Sequence, residues 1–372
     1  MRVALVHYWL TGYRGGERVL AALAALFPKA DIYTHIYAPK ALPKDFLAGH
    51  KINTSYINRL PFAHKNHQAY VPFMPAACAS FDLRGYDLVI SSEAGPAKGV
   101  ITDPDCLHLC YCHSPMRYLW DQRQIYYAQA NWPTRFAMHG FGQRLRNWDT
   151  ISAARVDHFI ANSHFVAKRI AKTYRRQAQV IYPPLDLELF HPSKITQRKG
   201  YLFVGQLEAY KRPDLALAAC AALDLPLTIV GTGRMYKSLQ KQAGPKVRFL
   251  DKLTPAQLRQ EYCKAKALLF PGVEDLGLTA LEAQACATPV IAFGKGGQVE
   301  TILNAKTGVL FAEQSLNALR DALTQFEQQP LQTDVNVFMT HVKRFSTQAF
   351  NANIQHAVDT ALKQQAYDDC AA

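Results

Sequence analysis

The chain has 372 residues, 49% of them hydrophobic, with 42 Lys and Arg against 29 Asp and Glu. This is enough apolar content for two domains with separate cores, and it excludes a disordered chain. No apolar run approaches the ~20 residues of a membrane-spanning helix, and Met1-Arg2-Val3-Ala4-Leu5-Val6-His7 reads as a strand rather than a signal peptide, so a cytoplasmic location is expected. The positive charge is uneven: residues 1–180 hold 22 Lys/Arg and 11 Asp/Glu (22 − 11 = +11), whereas residues 181–372 hold 20 and 18 (20 − 18 = +2). A basic first half suits an anionic partner: nucleic acid, acidic lipid or a phosphorylated substrate.

From the N-terminus, strands are expected over 2–8, 31–37, 87–91, 107–112, 157–161 and 179–182. The first strand runs into Gly12-Tyr13-Arg14-Gly15-Gly16-Glu17 and an apolar helix over 19–27, a glycine-rich turn ahead of a helix start that can receive an anion or simply need backbone freedom. His108-Leu109-Cys110-Tyr111-Cys112-His113 packs four possible metal ligands into six residues. No second ligand cluster accompanies it, and the eight cysteines lack a repeated spacing. Cys220, Cys263 and Cys286 sit in apolar stretches, so reduced, buried thiols are expected, with no disulfide.

Tyr182-Pro183-Pro184 and residues 185–197 read as a linker, with a cleft expected beside it. Beyond it the pattern is regular: strands over 201–205, 227–231, 247–250, 267–271, 289–293 and 308–311 alternate with helices over 213–223, 235–243, 255–264, after Gly277, and over 298–303. That is a parallel sheet wrapped by helices, which binds its ligands at the carboxyl ends of its strands. Residues 348–366 have helical composition and should pack as one or more surface helices.

The densest chemistry lies in Glu274-Asp275-Leu276-Gly277-Leu278-Thr279-Ala280-Leu281-Glu282, where a strand hands over to a helix. Amides near Gly277 and Leu278 can hold an anion while Glu274 reaches the bound molecule. Lys211 and Arg212 stand ahead of another helix with Pro213 in its first turn. Cations there oppose the helix dipole, and make sense if an anion lies between.

Taken together, these motifs resemble one family: the retaining sugar-nucleotide glycosyltransferases of group 1 (family four), α/β proteins of the GT-B fold with two facing Rossmann-like domains and an interdomain cleft. The resemblance covers essentially the whole chain. Besides the stretches above, it is carried by Tyr111-Cys112-His113-Ser114-Pro115-Met116-Arg117-Tyr118-Leu119-Trp120-Asp121, Phe159-Ile160-Ala161-Asn162-Ser163, Val180-Ile181-Tyr182-Pro183-Pro184, Tyr210-Lys211-Arg212-Pro213-Asp214 and Gly294-Lys295-Gly296-Gly297. The stretch from His113 to Asp121 looks most like bacterial mannosyltransferases of O-antigen, capsule or exopolysaccharide assembly.

The resemblance implies an acceptor-binding domain at 1–182, a nucleotide-sugar domain at 183–345 and a helical tail at 346–372. It implies catalytic roles for His113, Glu274 and Lys211. Donor contacts would come from Gly15, Gly16, Gln206, Lys211, Arg212, Gly231, Gly233, Glu274, Leu276, Gly277, Leu278 and Glu282, with Glu282 on the ribose. Acceptor contacts would come from Arg14, Arg117 and Tyr118. One departure matters: Gln206 stands where the family commonly has an arginine on the diphosphate, and it brings no charge, so either Arg212 compensates or the leaving group is less strongly stabilised.

The implied reaction is hexose transfer with retention, favouring GDP-mannose as donor, with a UDP-sugar as the alternative. A non-catalytic membrane scaffold is the reading from another class. No cofactor and no metal are expected: Asp103-Pro104-Asp105 precedes a strand instead of following one, and fixed cations can replace Mg²⁺. The acceptor is expected to be a lipid-diphosphate-linked saccharide. Residues 56–81 mix aromatics with Arg59, His64, Lys65 and His67, which suits peripheral docking on the cytoplasmic face of the inner membrane. No nucleic-acid module accompanies the charge, so no nucleic-acid partner is expected.

Overall fold

The computed structural model describes residues 1–194, 197–332 and 334–371. Positions 195 and 196 of the expected linker and position 372 of the expected tail lie outside the described residues. The chain divides into two compact units, Met1–Pro184 with Phe350–Ala372, and Leu185–Ala349.

The first unit is laid out as β1 Val3–His7, α1 Gly15–Leu26, β2 Asp31–Thr34, β3 Ile52–Thr54, α2 Met74–Ala79, β4 Leu88–Glu93, β5 Leu107–Cys112, α3 Arg123–Gln129, α4 Trp132–Ala154, β6 His158–Ala161, α5 His164–Tyr174 and β7 Ala178–Val180. Its seven strands form one parallel sheet in the order β3-β2-β1-β4-β5-β6-β7. β1, β4 and β5 are buried along their whole length, which is why they read as strands in the sequence. Between β1 and β4 the strand order reverses, and a sheet of this kind opens a crevice at such a point. His7, Ser92 and His113 stand at the carboxyl ends that meet there.

The three-residue edge strand β3 and the helices α2, α3, α4 and α5 are additions to the expected elements. α4 begins at Asn131, whose side chain accepts the Thr134 amide at 3.1 Å, with Pro133 in the first turn. It buries only Gly142, Leu145, Asp149, Ser152 and Ala153.

In the second unit β8 Tyr201–Val204, α6 Pro213–Ala222, β9 Leu227–Val230, α7 Tyr236–Gln242, β10 Val247–Leu250, α8 Pro255–Lys264, β11 Ala267–Phe270, α9 Leu278–Ala285, β12 Val290–Phe293, α10 Gln298–Thr301, β13 Gly308–Phe311, α11 Leu316–Gln328 and α12 Val335–Val342 follow in order. Six parallel strands run β10-β9-β8-β11-β12-β13, so this sheet reverses between β8 and β11. The strands at 247–250 and 308–311 and the helix at 255–264 coincide with the sequence reading residue for residue. α8 starts on Thr254, whose side chain accepts the Gln257 amide while Gln257 takes the Thr254 amide at 2.9 Å.

The chain ends in α13, Thr347–Ala371. Phe350, Ile354, Ala357, Val358 and Ala361 are spaced to line one face, and all are buried in the core that β1 and α1 build. The tail expected on the surface is therefore one long helix whose inner face belongs to the first unit's core. Among the described residues no helix is long and apolar enough to cross a membrane.

Candidate functional site

In the second unit, the turns after β8, β9 and β11 converge. Lys211 closes the turn after β8, and its ammonium forms an ion pair with Glu274 in the turn after β11. Both side chains are mostly covered, at 17% and 14% exposure, so their charges meet in a partly water-excluded recess where electrostatics is stronger than in bulk water. Gly272 sets the spacing, because a Cβ there would stand 2.7 Å from Lys211 Cα. Gly277, with φ +89°, starts α9 in a left-handed conformation that a side chain disfavours. Gly231 lies against the Gly205 carbonyl and Gly233 against Leu207.

The Glu274 loop is clamped by a residue the sequence reading passed over. Gln298 is fully buried. Its amide nitrogen donates to Gly272 O at 2.7 Å and Phe293 O at 3.0 Å, and its oxygen accepts the Glu274 amide at 3.3 Å. Gly297 N adds a bond to Glu274 O at 2.9 Å. A glutamine opening a four-residue helix gives no local sign of this role.

Five of the other expected donor contacts have the following surroundings. The Arg212 guanidinium forks onto Asp214 at 2.8–3.1 Å, two residues on, so the charge expected to replace the family's arginine already has a carboxylate partner. Gln206 is exposed. Glu282 is buried inside α9, and its Oε2 accepts the Tyr262 hydroxyl at 2.8 Å. Leu276 is buried and Leu278 half-buried.

In the first unit, Gly15 and Gly16 begin α1, and the Arg14 amide donates to Glu17 Oε2 at 2.8 Å. His113 follows β5. Its amide donates to Glu93 O at 2.7 Å, its carbonyl accepts Asn162 Nδ2 at 3.0 Å, and its Nε2 lies 2.9 Å from Ser92 Oγ. Arg117 contacts Ser114 Oγ at 3.4 Å, Arg169 holds the same hydroxyl at 2.7 Å, and Tyr118 OH donates to Met116 Sδ at 3.3 Å. The cysteines and His108 that invited a zinc reading are buried, with His108 Nε2 2.9 Å from Ser91 Oγ. Burial pushes the His108 ring down to about 3, a neutral imidazole packed in the sheet. Asp103 Oδ2 accepts the Gly85 amide at 2.9 Å.

Beneath His113 lies a fully buried charge cluster that the sequence did not announce. Lys98 Nζ pairs with Glu93 Oε1 at 3.3 Å and with Asp149, whose Oδ2 also accepts Trp120 Nε1 at 2.7 Å and Tyr174 OH at 2.9 Å. Burial drives Glu93 up to about 7, against the pull of Lys98. Lys98 itself is held above its ordinary value: burial opposes its charge, and the two carboxylates outweigh that.

The sequence matches the profile described as "Glycosyltransferase Family 4" over residues 13–189 and that of "Glycosyl transferases group 1" over residues 188–349. Among curated relatives, the D-inositol 3-phosphate glycosyltransferase of Corynebacterium glutamicum (strain R) is 29% identical over 222 residues, 51% of this chain and 53% of that protein. Its counterpart from Actinosynnema mirum is 30% identical over 210 residues, 48% of this chain and 50% of that protein. The match thus spans about half the length of these relatives. Among solved structures, Anabaena Alr3699/HepE in complex with UDP and glucose superposes with a TM-score of 0.71 at 17% identity, covering 96% of this chain and 99% of that one. The lipopolysaccharide outer core galactosyltransferase WaaB gives 0.66 at 17% identity, covering 97% and 99%. With the two profiles following one another along residues 13–349, and two Rossmann-like parallel sheets beneath them, the chain belongs to the group 1 glycosyltransferases of the GT-B fold.

Proposed function

We propose that the protein transfers a hexose, with retention, from a nucleoside-diphosphate sugar to a saccharide acceptor carried on a lipid diphosphate at the cytoplasmic face of a membrane. The observation that carries this reading is the Lys211–Glu274 pair set among glycine turns at the strand ends of the second unit. In the reaction the acceptor oxygen bonds to the anomeric carbon, the bond from that carbon to the diphosphate oxygen breaks, and the acceptor's proton passes to the departing phosphate. The leaving group gains charge as it goes, and Lys211 with the amides at Gly277 and Leu278 is suited to stabilise it. Glu274, freed from part of its attraction to Lys211 by the arriving anion, takes sugar hydroxyls. His113 and the acceptor are assigned to the first unit, with Gly15 and Gly16 over the phosphate and Arg14, Arg117 and Tyr118 towards the acceptor.

GDP-mannose is the preferred donor on the strength of the His113–Asp121 stretch; a UDP-sugar is the second reading, in line with the UDP and glucose bound to Alr3699/HepE. A thermal-shift series of GDP-, UDP- and dTDP-sugars separates them, because a ligand of the folded state stabilises by RT ln(1 + [L]/Kd). GDP-mannose at saturating concentration should raise Tm most; a larger rise with a UDP-sugar overturns the preference.

The membrane part of the proposal moves from residues 56–81 to α3 and α4. Val71 and Phe81 of the former stretch are buried, leaving Tyr56, Phe62 and Phe73 at the surface. Residues 122–148, which like residues 56–81 contain no Asp or Glu, carry the larger basic set, Arg123, Arg135, Arg144 and Arg146, and expose Trp132 at 80% and Phe136 at 76%. Arg123 and Arg135 both lie over the Tyr127 ring, at 5.7 and 5.4 Å. Aromatic side chains amid unopposed arginines fit an anionic lipid interface. The wild type should float with anionic vesicles in low salt and the Trp132→Ser/Phe136→Ser variant should not. Equal flotation of the two, or none by the wild type, excludes this surface and favours a soluble phosphorylated acceptor of the kind named in the curated relatives.

A further inference from the structure

Four side chains of the first unit form a line that no sequence motif joins: Glu17, His7, Ser92 and His113. His7 and Ser92 are paired across β1 and β4, and His7 Nδ1 lies 3.0 Å from Ser92 Oγ. The same hydroxyl lies 2.9 Å from His113 Nε2. On the other side of the His7 ring, Nε2 stands 3.8 Å from Glu17 Oε1. His7 and Ser92 are fully buried and Glu17 nearly so, whereas His113 is half-buried. Gly16 lies directly over the line: a Cβ there would come within 2.7 Å of Tyr8 OH, 3.4 Å of His7 Cε1 and 3.6 Å of His113 Nε2.

Counting hydrogens along the line gives it a direction. Glu17 is held below the usual carboxylate range; burial raises it, but His7 and the backbone amides more than offset that. An ionised carboxylate can only accept, so it favours hydrogen on the facing nitrogen, His7 Nε2. With the single ring hydrogen placed on Nε2, Nδ1 is then an acceptor. Ser92 has one hydroxyl hydrogen for two histidine neighbours. If it donates to His7 Nδ1, it must accept from His113 Nε2, and the hydrogen of a neutral His113 is fixed on that nitrogen.

We propose that Glu17, His7 and Ser92 are positioning residues that set the tautomer of His113, holding hydrogen on Nε2 so that Nδ1 acts as the acceptor for a hydroxyl of the bound sugar. The consequence for transfer rests on the function proposed above; the tautomer does not. In this arrangement Glu17, the acidic residue of the glycine turn, both caps α1 through the Arg14 amide and orders a ring on a different strand. The family histidine thereby receives its hydrogen-bond polarity from the turn that closes beside it.

The test uses the full-length protein labelled with 15N-histidine, the His113 signals being identified by their loss in His113→Gln. Long-range proton–nitrogen spectra of the wild type should show His113 as the Nε2–H tautomer. Ser92→Ala removes the acceptor and Glu17→Gln removes the remote charge without touching His113. Each should convert His113 to a mixture of tautomers, and Ser92→Ala should lower kcat about tenfold with little change in the donor's KM. His113 signals unchanged in both folded variants, whatever happens to Tm, overturn the proposal. A changed tautomer with wild-type kcat leaves the ordering chain standing and removes His113 from the chemistry. Changed kcat with an unchanged tautomer removes the chain and leaves the proposed function standing.

Discussion

Replacing Lys211 with alanine should lower kcat by roughly 10²–10³-fold, the loss of about 2.7–4 kcal/mol of charge stabilisation that one well-placed donor supplies in a covered site. The size follows from the surroundings. Gly272 and the turn after β8 hold the backbone of Lys211, and Glu274 holds its ammonium, so the cation is in place before any anion arrives. Little reorganisation is then required as the diphosphate gains charge. The Arg212 guanidinium is engaged by Asp214, and Gln206 carries no charge, so neither replaces the lost cation. Glu274→Ala should be comparably slow through loss of the sugar hydroxyl contact. Steady-state rates with saturating donor check both, with Tm as the control for folding. If the pair is only a structural salt bridge, both variants turn over at near-normal rates, and the assigned roles fall.

The second large effect is on stability. Lys98→Met should destabilise the first unit by roughly 3–5 kcal/mol, since it leaves Glu93 and Asp149 buried without their cation. For a unit of this size that corresponds to a fall in Tm of about 10 °C. The loss should depend on pH, with a sign that can be worked out. Burial raises the Glu93 carboxyl to about 7 in the folded protein, above its value in the unfolded chain. The folded state therefore binds that proton more tightly, and the resulting stability is full below the unfolded value and lost as pH rises through 7. Protonating Glu93 removes one of the two unpaired charges, so Lys98→Met should be less harmful at pH 5.5 than at pH 8. Adding Glu93→Gln should recover part of the loss at pH 8. Melting curves at the two pH values decide it; equal losses at both mean that Glu93 does not titrate in this range. Because the Glu93 carbonyl accepts the His113 amide, the same variant is expected to loosen the residue that the ordering chain positions.

How much of this could be read in advance depended on whether the cause was local. The second unit's strands are short apolar runs closed by Gly205, Gly231 and Pro271, and the turns that follow them carry Lys211 and Glu274, so architecture and candidate donor site were visible together. β3 is a three-residue edge strand paired only with β2, too short for a period-two pattern. α4 escaped because Trp132, Phe136, Phe141 and Ile151 lie on its exposed side and obscure the apolar stripe from which an amphipathic helix is recognised. Lys98 and Asp149 are 51 residues apart, and nothing near either one indicates a partner. His7 reads simply as a strand residue and Ser92 lies just past the strand expected at 87–91; only the register of β1 on β4 brings them together. The pairing of Arg212 with Asp214, two residues on, was likewise not anticipated from the sequence.

The most direct test of the account is a crystal structure of the protein soaked with a nucleoside-diphosphate sugar. The diphosphate should lie beside Lys211 Nζ and the amides of Gly277 and Leu278, with a sugar hydroxyl within hydrogen-bond distance of Glu274. Donor bound elsewhere, with the Lys211–Glu274 pair undisturbed and no phosphate beside it, would contradict it.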